Sequence, residues 1–183
     1  MKELSLNILD IVENSVKAKA SLTEITLNET GNELTLVIKD NGCGMSEEVL
    51  KGVTDPFYTT RTTRKVGLGI PLLKLAAEQT GGTISVESVS ELDDAVNHGT
   101  TVTAKFYTDH IDFTPLGDVS ESILTLIQGH PDTDFLFTHK KGERCVQLDT
   151  RQLREVLEGV PLNTYDVICW IREYLQEQYS VSI

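Results

Sequence analysis

No stretch of this sequence approaches the ~20 consecutive apolar residues that a membrane-spanning helix needs. Cysteine is scarce as well. The three present, Cys43, Cys145 and Cys169, form no CxxC pair, and an odd count reads as free thiols in a reducing compartment rather than a disulfide framework or a zinc site. Basic charge is short: 16 Lys and Arg against 28 Asp and Glu leave a formal net charge of −12. A protein that grips nucleic acid by its phosphates carries a basic face, so nucleic acid is not the expected partner. Glu3, Asp10 and Glu13 interrupt any signal-peptide pattern at the N-terminus. There is no internal repeat and no low-complexity tract. These absences lead us to expect a soluble, cytoplasmic protein that does not engage a membrane. Hydrophobic residues at 39% and charged residues at 24% have the balance of a globular chain.

Periodicity supplies the elements. Leu4, Ile8, Ile11 and Val12 recur at helical spacing, widened by Leu9 and Val16, and predict an amphipathic helix over 4–20. "TEITLNE" and "ELTLVIKD" alternate and are joined across Gly31-Asn32, an antiparallel hairpin. "DNGCGM" is a glycine-rich turn, and Ser46 is placed to cap a short helix opened by Glu47 and Glu48. Residues 55–66 read as a loop. "GLG" then opens a helix that ends at Gly81-Gly82, and "TISVESV" and "GTTVTAKFY" are two further strands. The expected fold is α+β, a two-layer sandwich with a mixed, mainly antiparallel sheet and helices on one face. After Tyr107 the pattern changes, and "YTDHIDFTPLGD" reads as a linker. Residues 109–183 are therefore expected to form a small second α+β domain, with 1–108 as the first. Its elements are a helix near 119–128, a hairpin turning at Lys141-Gly142, and helices near 150–158 and 164–178.

Three features carry chemistry. Asp10 and Asn14 are four residues apart on the first helix, with Lys17 three further on. A carboxylate, an amide and an ammonium on one stripe suit a base, a magnesium ligand and a phosphate contact better than they suit a core. Asp40 ends a strand before Gly42 and Gly44. A carboxylate there can accept a hydrogen bond from the exocyclic amine of adenine, and glycines let a flat ring approach the backbone. From Pro56 to Ala77 the chain holds Arg61, Arg64, Lys65 and Lys74 and no acidic residue, and this window contains Gly67-Leu68-Gly69 at a helix start. Free N–H groups at such a terminus favour phosphate. The three features in this order are far more specific than any one alone.

With these residues in view, the chain resembles the GHKL (Bergerat-fold) ATPase superfamily, and within it the catalytic ATP-binding domain of sensor histidine kinases. "ILDIVENSVKAKA" resembles the N-box and is equally near to that of MutL. "DNGCGM" resembles the G1 box, "DPFYTTR" the F-box, "GLGIPLLK" the G2 box and "GTTV" the last box. The likeness spans about residues 4–107; no family match is seen for 108–183. It implies ATP and Mg2+ as ligands, with Asn14 holding the metal and Lys17 touching phosphate. Asp40 would read adenine in a pocket shaped by Gly42 and Gly44. Phe57 would anchor a lid whose Thr60, Arg61, Arg64 and Lys65 lie near the phosphates. Gly67, Leu68 and Gly69 would form the hinge and present N–H groups, and Thr101 would support Asp40.

The departures matter too. Superfamily members that hydrolyse ATP place a glutamate base four residues before the N-box asparagine; here that position is Asp10, one methylene shorter. Glu13 lies about 100° around the helix from Asn14 and is not expected to substitute. No helical hairpin bearing a phosphoacceptor histidine occurs in these residues, and His98, His110, His130 and His139 read as surface or packing residues. The resemblance implies a stand-alone protein kinase or slow ATPase acting on a separate, unidentified protein partner. The alternative is an ATP-dependent binding module, anti-sigma-like, with little catalysis.

Overall fold

The computed structural model describes residues 3–54 and 68–182. Helix α1 (Leu4–Lys17) leads into the hairpin of β1 (Leu22–Thr30) and β2 (Glu33–Asp40). The short α2 (Glu47–Gly52), α3 (Gly69–Gln79), β3 (Thr83–Val89) and β4 (Gly99–Tyr107) follow. Beyond them come α4 (Val119–Gly129), β5 (Asp134–Lys141), β6 (Arg144–Asp149), α5 (Thr150–Leu157) and α6 (Tyr165–Ser182). Ser46 caps α2 as its sequence suggests, its side chain accepting from the Val49 N–H.

All the described strands join one six-stranded sheet in the order β3-β4-β2-β1-β5-β6, antiparallel except where β5 runs parallel to β1. Alternation explains why one face is dry. The register sets Ile25 beside Ile38 and Phe137, and Leu36 beside Leu27 and Ala104. Phe106 pairs with Leu34, and Leu148 with Phe137, so one row of buried side chains crosses the sheet. A layer containing α1, α3, α4 and α6 packs on that face and completes a single core. The other face carries Glu24, Thr26, Thr35 and Lys39, none of them buried. This is the two-layer α+β sandwich expected.

The division expected at 108/109 falls inside this continuous sheet. β5 pairs along the whole of β1 from Leu22↔Asp134 to Glu29↔Lys141, and α4 packs against α1. The segment that reads as a linker has a structural task of its own. α1 has no side-chain cap at Glu3; its first amides, from Leu4 and Ser5, donate instead to the carbonyls of Pro115 and Leu116 at 2.9 and 2.8 Å. Gly117 is required there. Its φ is +73°, and a Cβ would sit 2.4 Å from a Glu3 carboxylate oxygen.

One histidine is deeply buried. His139, on β5, is 2% exposed. Its Nε2 faces Glu29 Oε1 at 2.9 Å and its Nδ1 faces Tyr179 Oη at 2.9 Å. A carboxylate only accepts, so Nε2 carries the proton, and neutral Nδ1 accepts from the tyrosine hydroxyl. Burial holds the imidazole below its ordinary value and outweighs the opposing pull of Glu29. Burial likewise drives the Tyr179 hydroxyl far up, which keeps it a donor.

Two outcomes follow from this packing. Phe137→Ala should cost about 3–5 kcal/mol, and urea unfolding should remain one transition whether followed by Trp170 fluorescence or by far-UV circular dichroism. Separate transitions would show that the sheet is not a single cooperative unit. His139 binds its proton less readily folded than unfolded, so stability is complete above the ordinary histidine value of 6.5 and declines as pH falls below it. Urea midpoints measured downward from there should drop, and drop less steeply in His139→Gln; equal slopes would contradict the assignment.

Candidate functional site

β2 delivers Asp40 to the helix-facing side of the sheet, on the same pleat as Ile38. Its carboxylate is held from three directions. Ser15 on α1 donates its hydroxyl to Oδ2 at 2.7 Å, the Gly42 N–H donates to Oδ1 at 2.9 Å, and the Thr100 N–H donates to Oδ1 at 3.3 Å. A carboxylate offers about four lone-pair positions, so Asp40 is fixed in place with accepting capacity to spare. It opens on a cavity of about 220 Å3 whose walls include Asn14 and Lys17 from α1, Met45, Ile70 and Thr100. Its lining mixes apolar side chains, Ile11, Ile38, Val53 and Val102 among them, with the polar groups of Asn14, Lys17, Asp40 and Thr100, as a site for a heteroaromatic ring with a charged tail requires.

The turn after Asp40 is built by close approach. A Cβ on Gly42 would lie 2.8 Å from the Ala18 Cβ at the end of α1. Gly44 has φ +65°, and a Cβ there would lie 1.9 Å from the Val89 carbonyl oxygen. The turn is pinned by Cys43 N–H to Ala18 O at 2.9 Å and Met45 N–H to Ser88 Oγ at 2.8 Å. His98 Nδ1 meets the Gly42 carbonyl and therefore carries the proton on that nitrogen.

On α1 the polar stripe points away from the core: Asp10 and Lys17 are exposed and Asn14 is half-buried. Gly69 starts α3 directly beside it, since a Cβ there would come 3.2 Å from the Asp10 Cβ. The Ncap of α3 is Leu68, 57% exposed, and among the described residues no side-chain capping bond is made there. The N-terminal amides of α3 thus stand next to Asp10, at the end of the stripe that reaches the cavity through Asn14 and Lys17. Glu13 turns elsewhere. Its Oε1 lies 2.7 Å from His130 Nε2, behind α1 and against the end of α4, so it is not a second candidate base.

Of the residues expected from sequence, the structure brings together Asn14, Lys17, Asp40, Gly42 and Gly44, with Asp10, Leu68 and Gly69 at the neighbouring helix start. Phe57, Thr60, Arg61, Arg64, Lys65 and Gly67 lie outside the described residues. Thr101 is not where it was expected. It pairs with Lys39, one step from Asp40 along the pleat, and so sits on the opposite face of the sheet. Thr100 pairs with Asp40 and lines the cavity instead. Ser88 Oγ gives its one proton to Gly99 O at 3.0 Å, so Thr100 Oγ1, 2.9 Å away, donates to Ser88 and keeps accepting capacity of its own. Ser15 was also missed. The one signal in the sequence is that Ser15 directly follows the N-box asparagine; its burial and its bond to Asp40 show only in the structure.

These placements separate two neighbouring threonines. Ser15→Ala should weaken ATP binding about tenfold or more, through loss of a charge-assisted hydrogen bond to Asp40. Thr100→Val should weaken it severalfold, and Thr101→Val should leave it unchanged. Calorimetry in which Thr101→Val is the more damaging substitution would overturn the register of the site.

Comparison with known proteins identifies the family. The family model described as histidine kinase-, DNA gyrase B-, and HSP90-like ATPase matches residues 2–110. Among curated proteins, the chain is similar to the sensor histidine kinase YvrG of Bacillus subtilis, 34% identical over 103 residues, covering 53% of this chain and 17% of that protein. It is also similar to sporulation kinase C of Bacillus subtilis, 30% identical over 88 residues, covering 47% of this chain and 20% of the relative. The chain thus spans a fifth or less of the length of these relatives. Among solved structures, the Aquifex aeolicus MutL ATPase domain complexed with ADP aligns over 86% of this chain and 70% of its own, with a TM-score of 0.56 at 16% identity. That likeness is one of fold, and it extends beyond the residues the family model matches. With the family model covering more than half of its length, the chain belongs to the histidine kinase-, DNA gyrase B- and HSP90-like ATPase family.

Proposed function

We propose that this protein binds Mg-ATP between α1, the Asp40–Gly44 turn and the start of α3, and acts as a stand-alone protein kinase or slow ATPase on a separate protein partner. The observation that carries the reading is Asp40. It is a carboxylate locked by three donors, with lone-pair capacity left over, on the wall of a cavity that Asn14 and Lys17 also line. Adenine presents an amine to such a group and guanine does not. The residues fit the ligand. Gly42 and Gly44 sit where side chains would collide with the turn's supports, the Asn14 amide oxygen is a hard donor suited to magnesium, and Lys17 supplies positive charge for phosphate. Bound magnesium would neutralise phosphate charge during transfer.

In this reading Asp10 takes the proton from an attacking water or hydroxyl, which its closeness to the start of α3 supports. An aspartate reaches roughly 1.5 Å less far than a glutamate, one carbon–carbon bond, and a displacement of about 1 Å costs on the order of a hundredfold in rate. Slow intrinsic turnover follows. The same short reach, together with the packing of α4 on α1, favours a second reading in which ATP mainly switches the binding of a partner. The formal net charge of −12 supports a protein rather than a nucleic-acid partner. The three cysteines stand unpaired, and no helix among the described residues is long and apolar enough to cross a membrane, which supports the cytoplasm as the location.

Phosphate release assays test this directly. Asp10→Glu should raise turnover, by up to about a hundredfold, and Asp10→Asn should lower it. Asn14→Ala should remove magnesium-dependent ATP binding while sparing metal-free ADP binding. Turnover indifferent to both Asp10 substitutions would mean that another group is the base.

A further inference from the structure

The C-terminal helices leave an apolar groove with no covering element. It has a volume of about 450 Å3 and lies between α5 and α6, lined by Leu153, Val156, Leu157, Val167 and Trp170, with Asp166 at its edge. Two of its side chains are open to solvent, Val156 at 82% and Trp170 at 51%, while Val167 is buried and Leu153 and Leu157 are half-buried as its floor. Trp170 is further stiffened by Tyr174, whose ring is nearly parallel to it with centroids 5.4 Å apart. An ordered aromatic beside a concave apolar surface has the character of a binding anchor rather than of an incidental exposed residue.

The unpaired charge on the two helices that form the groove has one sign. Every cation on α5 and α6 is already paired: Arg151 with Asp149, Arg154 with Asp134 and Arg172 with Glu121. The acidic side chains of the two helices and of the residue ending α5 are not. Glu155, Glu158, Asp166, Glu173 and Glu177 have no ion-pair partner among the described residues, and all five are exposed. Asp166, Trp170, Glu173, Tyr174 and Glu177 recur at three- and four-residue spacing, so they share one face of α6. Opposite charge on an incoming partner would be drawn to this rim, while the groove floor gains by losing water.

From these features we infer that the α5–α6 groove is the docking site for a basic amphipathic helix of a partner protein. The apolar face of that helix seats against Val156 and Trp170, and its Lys or Arg side chains lie along Asp166, Glu173 and Glu177. The inference deepens the reading above and rests on it, since it supplies the surface through which the chain meets a separate protein. It also connects that surface to the nucleotide site, because α6 packs on α4 and α4 on α1, the helix that carries Asp10, Asn14 and Lys17.

Trp170 is the chain's single tryptophan, so its emission reports occupancy of the groove directly. The probe is a synthetic Leu/Lys peptide with leucines at i, i+3, i+4 and i+7 spacing, titrated into the full chain. We expect a saturable blue shift, and none with the Leu/Glu peptide of the same pattern. Val156→Glu changes an exposed side chain and should weaken Leu/Lys binding at least about tenfold while leaving thermal unfolding unchanged. Asp166→Lys combined with Glu173→Lys should reverse the preference toward the Leu/Glu peptide. Three results would each overturn the inference: no response to the Leu/Lys peptide, equal binding by Val156→Glu, or sedimentation showing a dimer of this chain that buries Trp170. Calorimetry with ATP on the same samples keeps the two claims apart. Intact ATP binding with an unresponsive groove sinks the docking site alone; a groove that binds in a chain that does not bind ATP sinks the nucleotide reading alone.

Discussion

The hydrogen bond from Ser15 to Asp40 ties α1 to the end of β2, and the rest of the site is arranged around that tie. α1 has two jobs that pull in different directions. Leu4, Ile8, Ile11 and Val12 bury themselves in the core, while Asp10, Asn14 and Lys17 must stay clear of it. A helix can do both only if its rotation over the sheet is set closely. Ser15, buried and bonded to a carboxylate that Gly42 and Thr100 also hold, sets it from below. Gly69 bears on it from the side, where an added Cβ would come 3.2 Å from the Asp10 Cβ and push α1 and α3 apart by a few tenths of an ångström.

The C-terminal residues complete this arrangement rather than decorate it. The Pro115 and Leu116 carbonyls cap the start of α1, Ser122 Oγ reaches the Ser5 carbonyl at 3.2 Å, and His130 holds Glu13 at the other end. β5 protects what would otherwise be the open edge of β1. Any partner that moved α4 or α6 would therefore act on the helix bearing the candidate base and metal ligand. The structure provides the physical contacts that such coupling requires, and the charge and apolar character of the α5–α6 groove describe the kind of partner able to use them.

Much of this was legible in the residues. Strict alternation in "TEITLNE", "ELTLVIKD" and "GTTVTAKFY" predicts strands with one buried face, and the strands are there. The order of a polar helical stripe, an Asp-x-Gly-x-Gly turn and a glycine-flanked helix start picks out residues that the structure gathers around one cavity and the neighbouring helix start. What stayed hidden depended on long-range pairing. Nothing local in "DFLFTHKK" says that it runs parallel to β1, a contact more than a hundred residues away in sequence. The choice between Thr100 and Thr101 turns on the pleat: a shift of one residue moves a side chain to the other face, and only the partner strand fixes which is which. The task of residues 115–117 was hidden because a capping carbonyl leaves no side-chain signature.

The central claim is that Asp40 reads adenine from within a nucleotide pocket. Calorimetric titration of the unmodified chain and of Asp40→Asn with ATP and with GTP tests it most directly. The account predicts that the parent binds ATP well and GTP poorly, and that Asp40→Asn loses about 2 kcal/mol or more of ATP affinity because a charge-assisted hydrogen bond is gone. Equal affinity of the parent for ATP and GTP, or ATP binding unchanged by Asp40→Asn, would contradict it.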